Sequence, residues 1–244
     1  MIVIIILIEL LLLYVLSRRL TQNLFVAVFL LTKSRPVAVS FLSILFFPGT
    51  VIHELAHLFT AEILGVRTSG MTLVPEGIDQ KEVRTGSVSI AQSDPIRRAM
   101  IGIAPVFVGL LTLGTLSYFF SQQLTALYLS DSPIGGMDKI IGISIAALFY
   151  LIFAVSNTMF SSPEDLEGFW PVVVVLTLLA GAAYIAGLRI TLTEPVLGGV
   201  IEFFRSVAVN LGYVTGLNVA LFFFSQLLIV GVTKVTRVMV RNKT

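Results

Sequence analysis

Phe46-Phe47-Pro48-Gly49-Thr50-Val51-Ile52-His53-Glu54-Leu55-Ala56-His57-Leu58-Phe59-Thr60-Ala61 holds both histidines of a 244-residue chain inside an otherwise apolar run. The two are four residues apart, so on a helix both imidazoles leave the same face. That HExxH spacing lets two ring nitrogens share one zinc ion, with Glu54 beside them to take a proton from the attacking water. A His-Glu-His group in apolar surroundings is costly unless something compensates it, and metal binding does so most directly. The run therefore predicts a helix within a membrane and a metal centre on it.

The rest of the chain agrees with that environment. Hydrophobic residues make up 56 % and charged residues 12 %, with a mean hydropathy of +0.97. This describes an all-α polytopic membrane protein, one membrane-embedded domain over 1–244 with the lipid bilayer as its solvent. The net charge is only +2, and the basic residues form short clusters at Arg18-Arg19, Arg97-Arg98 and Lys234 to Lys243. They read as topology markers, and no nucleic-acid partner is expected. The absence of cysteine excludes disulfides and thiolate chemistry and leaves any metal to nitrogen and oxygen ligands.

Five apolar stretches follow the N-terminal region: Val37–Leu64 with the HExxH, Ala99–Phe120, Ile140–Phe160, Phe169–Leu188 and Leu211–Val232. Met1–Leu16 lacks the basic start and small-residue cleavage site of a secretory signal and reads as retained. It either continues through Arg18-Arg19 into Leu24–Leu31 or forms a hairpin with it. The expected total is about six transmembrane helices. Between the HExxH helix and Arg97, the β-branched runs of Thr68–Pro75 and Val83–Gln92 predict a β-hairpin or small sheet at the membrane surface.

The positive-inside rule puts Arg97-Arg98 and the C-terminal tail in the cytosol, and the Lys- and Arg-free loop Ser121–Asp138 on the other side. The HExxH helix then ends on the cytosolic side, and so does Ile140–Phe160, in a plasma (inner) membrane. Arg18, Arg19, Lys33 and Arg35 run against this assignment, because the start of the HExxH helix would then lie outside.

A catalytic zinc commonly takes three protein ligands and leaves a fourth position open. Without a third histidine or any cysteine, the remaining ligand comes from the 14 carboxylates. Glu62 follows His57 by five residues and suits a helix-end charge; Glu9 is intramembrane by position. Glu164 and Asp165, in Pro163-Glu164-Asp165-Leu166-Glu167-Gly168, sit at the cytosolic end of a later helix, or alternatively cap Phe169–Leu188.

The HExxH together with Asn157-Thr158-Met159-Phe160-Ser161-Ser162-Pro163-Glu164-Asp165 resembles the site-2 protease family of intramembrane zinc metalloproteases. In that family an aspartate from a later NxxPxxxxDG motif joins the two histidines. Asn157 and Asp165 keep the separation of that motif's Asn and Asp, whereas Phe160 replaces its proline and Leu166 its glycine. The resemblance covers about Val37 to Trp170 and implies a catalytic core over 37–170 with no PDZ-like insertion. It implies that His53, His57 and Asp165 hold Zn2+, with Glu164 as the fallback ligand. Glu54 is then the general base, and Asn157 hydrogen-bonds substrate or the developing oxyanion, or serves only as an interhelical contact.

The expected function is hydrolysis of peptide bonds in or near transmembrane segments of membrane-protein substrates, single-span proteins or remnant signal peptides. A helical substrate must unwind locally before attack, because its peptide groups are satisfied internally. One rival is a membrane metallopeptidase with a cytosol-facing site and Glu as third ligand. Another is a non-catalytic protein of the same fold, and a transporter is a weaker third, since no inverted repeat is visible.

Overall fold

The computed structural model describes residues 2–73, 86–128, 136–160, 169–187 and 193–236. Among them the regular elements are α1 Ile2–Thr32, α2 Arg35–Leu45, α3 Phe47–Ile63, β1 Thr68–Thr72, β2 Ser87–Ile90, α4 Pro95–Tyr128, α5 Gly136–Thr158, α6 Phe169–Ile185 and α7 Glu194–Thr236. The chain is thus mostly helical with one small hairpin, as expected. Three helical stretches are long and apolar enough to cross a membrane, Pro95–Tyr128, Lys139–Thr158 and Val196–Lys234, and the bent α2–α3 pair makes a fourth if it is one span.

Several boundaries differ from the sequence expectation for identifiable reasons. The N-terminal segment is one continuous helix: Arg18 stacks on the Tyr14 ring at 5.3 Å instead of breaking the run. The stretch Val37–Leu64 is two helices that meet at 71°. Pro48 lies at the break, where it has no N–H to continue the preceding helical ladder. α4 begins earlier than Ala99 because Asp94 caps it, its Oδ1 accepting the Arg97 N–H at 3.0 Å, with Pro95 in the first turn. α4 also runs on to Tyr128, into what the sequence marks as a loop. At 34 residues it is about 50 Å long, more than the hydrocarbon thickness of a bilayer.

The core gathers four helices. Ile6 and Leu13 of α1, Leu113 of α4, Ile152 and Val155 of α5, and Leu211 and Val214 of α7 form one buried cluster with Met159. α1 also lies along α7, where Asn23 Nδ2 donates to Ser225 Oγ at 2.9 Å. A second cluster of Leu20, Leu42, Phe46 and Phe153 seats the α2–α3 corner on α1 and α5.

α3 is inverted relative to a water-soluble helix. Its small and polar residues Gly49, Thr50, His53, Glu54, Ala56, His57 and Ala61 are buried, while Phe47, Phe59 and Ile63 are exposed. Apolar side chains outward and polar ones inward is the arrangement a lipid surround selects. Gly49 permits it: a methyl built there would come 2.5 Å from the Ala154 carbonyl oxygen and would also strike Thr158 Oγ1, so α3 meets α5 backbone to backbone.

At its far end α3 closes with a left-handed Gly65, φ 67°. The Gly65 N–H donates to Glu62 O at 3.0 Å and the Val66 N–H to Ala61 O at 2.8 Å, and Val66 packs with Ala61 and Ile101. This terminator turns the chain into β1. The two strands pair antiparallel, Thr72 opposite Ser87 and Met71 opposite Val88, with an irregularity at Thr68/Gly70 where Gly70 takes φ 143°.

Candidate metal centre

His53, Glu54 and His57 come together on the buried face of α3, each no more than 6 % exposed. The two histidine Nε2 atoms face each other at 3.1 Å, with the rings nearly perpendicular at 82°. His57 Nδ1 lies 2.9 Å from the carbonyl oxygen of Ile101 on α4. A carbonyl only accepts, so Nδ1 carries the proton and Nε2 presents its lone pair toward His53.

This arrangement fits a metal by its donor chemistry. Two imidazole nitrogens bound to one tetrahedral zinc at about 2.0–2.1 Å each lie about 3.3 Å apart, close to the observed separation. A ligating histidine also commonly donates its other N–H to a carbonyl that fixes the tautomer, as His57 does here.

The β-hairpin reaches this site. A methyl built on Gly86, immediately before β2, would fall 2.8 Å from Glu54 Oε1 and 2.9 Å from Thr50 Cγ2. Backbone of the hairpin therefore lies directly over the carboxylate and excludes bulk from that side. The hydroxyl of Thr50, one turn before Glu54 and equally buried, has no hydrogen-bond partner among the described residues.

Of the remaining candidates, the described carboxylates Glu9 and Glu62 do not join the pair. Asp165 and its fallback Glu164 lie outside the described residues. Among the described residues no group of three or more His, Asp or Glu side chains closes around a possible metal position. Asn157 is engaged elsewhere: its Nδ2 donates to Asn218 Oδ1 of α7 at 2.9 Å and to Phe153 O at 2.8 Å. Asn218 in turn donates to Ser156 Oγ at 3.0 Å and is fully buried. The amide donors of Asn157 thus serve an α5–α7 junction, and its buried Oδ1 has no partner among the described residues. Glu62 sits at the helix end and accepts the Thr68 hydroxyl at 3.2 Å, tying α3 to the start of β1. Glu9 faces Gly212 of α7, where a built methyl would lie 3.3 Å from its Oε1.

Three participants escaped the reading of the sequence. Asn218 did carry a signal, an amide in the apolar run Leu211–Val232, where a polar side chain needs an interhelical partner. Gly86 and the Ile101 carbonyl act through backbone: the glycine and the proline four residues after Ile101 are visible in the sequence, but what those backbones approach is not. The chain matches no protein-family model, no curated protein and no solved structure.

Proposed function

We propose that the chain is a zinc-dependent intramembrane endopeptidase of the site-2 protease type. The observation that carries this reading is the convergence of the two Nε2 atoms at 3.1 Å with Glu54 buried on the same helix face. His53, His57 and Asp165 would hold the ion, which when bound would lower the pKa of a water molecule and polarise the scissile carbonyl. Asp165 lies five residues beyond Phe160, which packs on the same cluster as Ile52 of α3.

Glu54 acts as the general base. It takes a proton from the attacking water and delivers it to the nitrogen of the departing amine. Burial beneath Gly86 keeps its carboxylate away from competing bulk water. The two-stranded hairpin offers main-chain hydrogen bonds to an extended peptide, and its Gly86 end lies over Glu54. Substrates are accordingly single-span proteins or remnant signal peptides whose helices unwind locally.

In this reading α1, the bent α2–α3 pair, α4, α5, α6 and α7 make six crossings. Arg97-Arg98 and the C-terminal end then share the cytosolic side with the end of α3, so the site opens toward the cytosol of an inner membrane. The engaged amide of Asn157 favours one second reading, a metal-binding protein of the same fold that does not cleave.

The deciding experiment is zinc content of the detergent-purified protein, with cleavage of a single-span substrate measured in parallel. One zinc per chain, lost in Asp165→Ala and kept in an inactive Glu54→Gln, supports the peptidase. Zinc retained in Asp165→Ala moves the third ligand to Glu164. A wild type that takes up no zinc overturns the proposal, and zinc without cleavage of any unwinding-prone substrate favours the second reading.

A further inference from the structure

The carbonyl that holds His57 lies in the interior of α4, where carbonyls ordinarily accept the N–H four residues further on. Four residues after Ile101 stands Pro105, which has no N–H. Pro105 is buried inside α4 and Ile101 is 2 % exposed, so bulk water does not supply the missing donor. The proline ring also presses on the carbonyl four residues before it and tilts that group away from the helix axis. In the structure the carbonyl oxygen meets the Nδ1–H of His57 across the α3–α4 contact at 2.9 Å.

We infer that Pro105 is a positioning residue for the histidine pair. By withholding a backbone donor from Ile101 O, it leaves that oxygen as the acceptor that holds His57 with Nδ1 protonated and Nε2 turned toward His53. A residue with an N–H at position 105 would engage the carbonyl along the helix and weaken its hold on the imidazole. The zinc consequence rests on the peptidase reading above; the effect on the His57 tautomer does not.

The chain has only two histidines, so nitrogen NMR of 15N-histidine-labelled, metal-free protein shows two rings, with His57 assigned by its loss in His57→Gln. Above the imidazole titration range, wild type is expected to show His57 protonated on Nδ1. In Pro105→Ala and Pro105→Gly that population falls toward the mixture of an unanchored ring. Zinc affinity, measured with zinc alone, drops about 10–100-fold, as for loss of other partners that orient a ligand. Alanine favours the helix over proline, so the melting temperature of metal-free Pro105→Ala stays level or rises. General damage would lower affinity and melting temperature together.

A wild-type His57 protonated on Nε2 overturns the inference, whatever the variants do. An unchanged tautomer and zinc affinity in both variants overturns it as well. A tautomer that responds to Pro105 in a wild type that binds no zinc would leave the inference standing and remove the metal reading.

Discussion

Gly86 lies against the carboxylate of Glu54, so close that a methyl on it would stand 2.8 Å from Oε1. The contact joins the start of β2 to the buried Glu54 side chain of α3. Gly86→Val must push either the hairpin or the carboxylate aside. A displacement of about 1 Å at a reacting group can cost about 10²-fold in rate. Cleavage should therefore fall on that scale while zinc content stays at the wild-type level. Full activity in Gly86→Val would show that the hairpin does not need this approach.

Zinc should stabilise the protein through the histidine pair. A ligand present at about 100 times its dissociation constant adds about 2.7 kcal/mol to the state that binds it. Thermal melting of wild type is expected to shift upward on zinc addition and downward with chelator. His53→Ala and His57→Ala should show neither shift, since each removes one of the two nitrogens that meet at 3.1 Å. A persistent shift in both would place the metal elsewhere.

Glu54→Gln separates chemistry from binding. The amide keeps the shape of the side chain under Gly86 but cannot take a proton. Loss of a general base slows turnover by about 10²–10⁴-fold. Single-turnover cleavage should register that drop with zinc occupancy intact, and a smaller loss would assign the proton to another group.

The α3–α5 contact should tolerate no side chain at Gly49. Alanine there would meet the Ala154 carbonyl oxygen at 2.5 Å, and backbone cannot move aside cheaply. Overpacking of this kind costs about 1–3 kcal/mol. Gly49→Ala should melt earlier than wild type by a corresponding margin, and an unchanged melting curve would contradict the close packing.

Asn157 and Asn218 should be energetically coupled. Interhelical polar contacts in membrane proteins average about 0.6 kcal/mol and reach about 1.7 kcal/mol. A double-mutant cycle of Asn157→Ala and Asn218→Ala should return a coupling in that range from their 2.9 Å bond. If Asn157 serves only this junction, the two single variants lose activity in proportion to stability. A larger activity loss in Asn157→Ala alone would assign its Oδ1 to substrate.

What the sequence determined by itself is what depends on neighbours along the chain. The HExxH pair is legible because a spacing of four residues puts two side chains on one face of any helix. The apolar runs and the hairpin between Thr68 and Gln92 were legible for the same reason, as periodicity and composition are local. Charge at Arg18-Arg19 left the course of the N-terminus open, and packing along α7 together with the Tyr14 contact accompanies its single helix. The groups that surround the histidine pair were decided only in three dimensions. Gly86 and Ile101 act through backbone atoms, so the sequence shows a glycine and, four residues after Ile101, a proline, but not which group either backbone approaches. Asn218 is visible as a polar residue in an apolar run, but its choice of Asn157, 61 residues away, follows from how α5 meets α7. Side-chain chemistry and spacing can be read along one dimension; the approach of one backbone to another is a property of the packed helices.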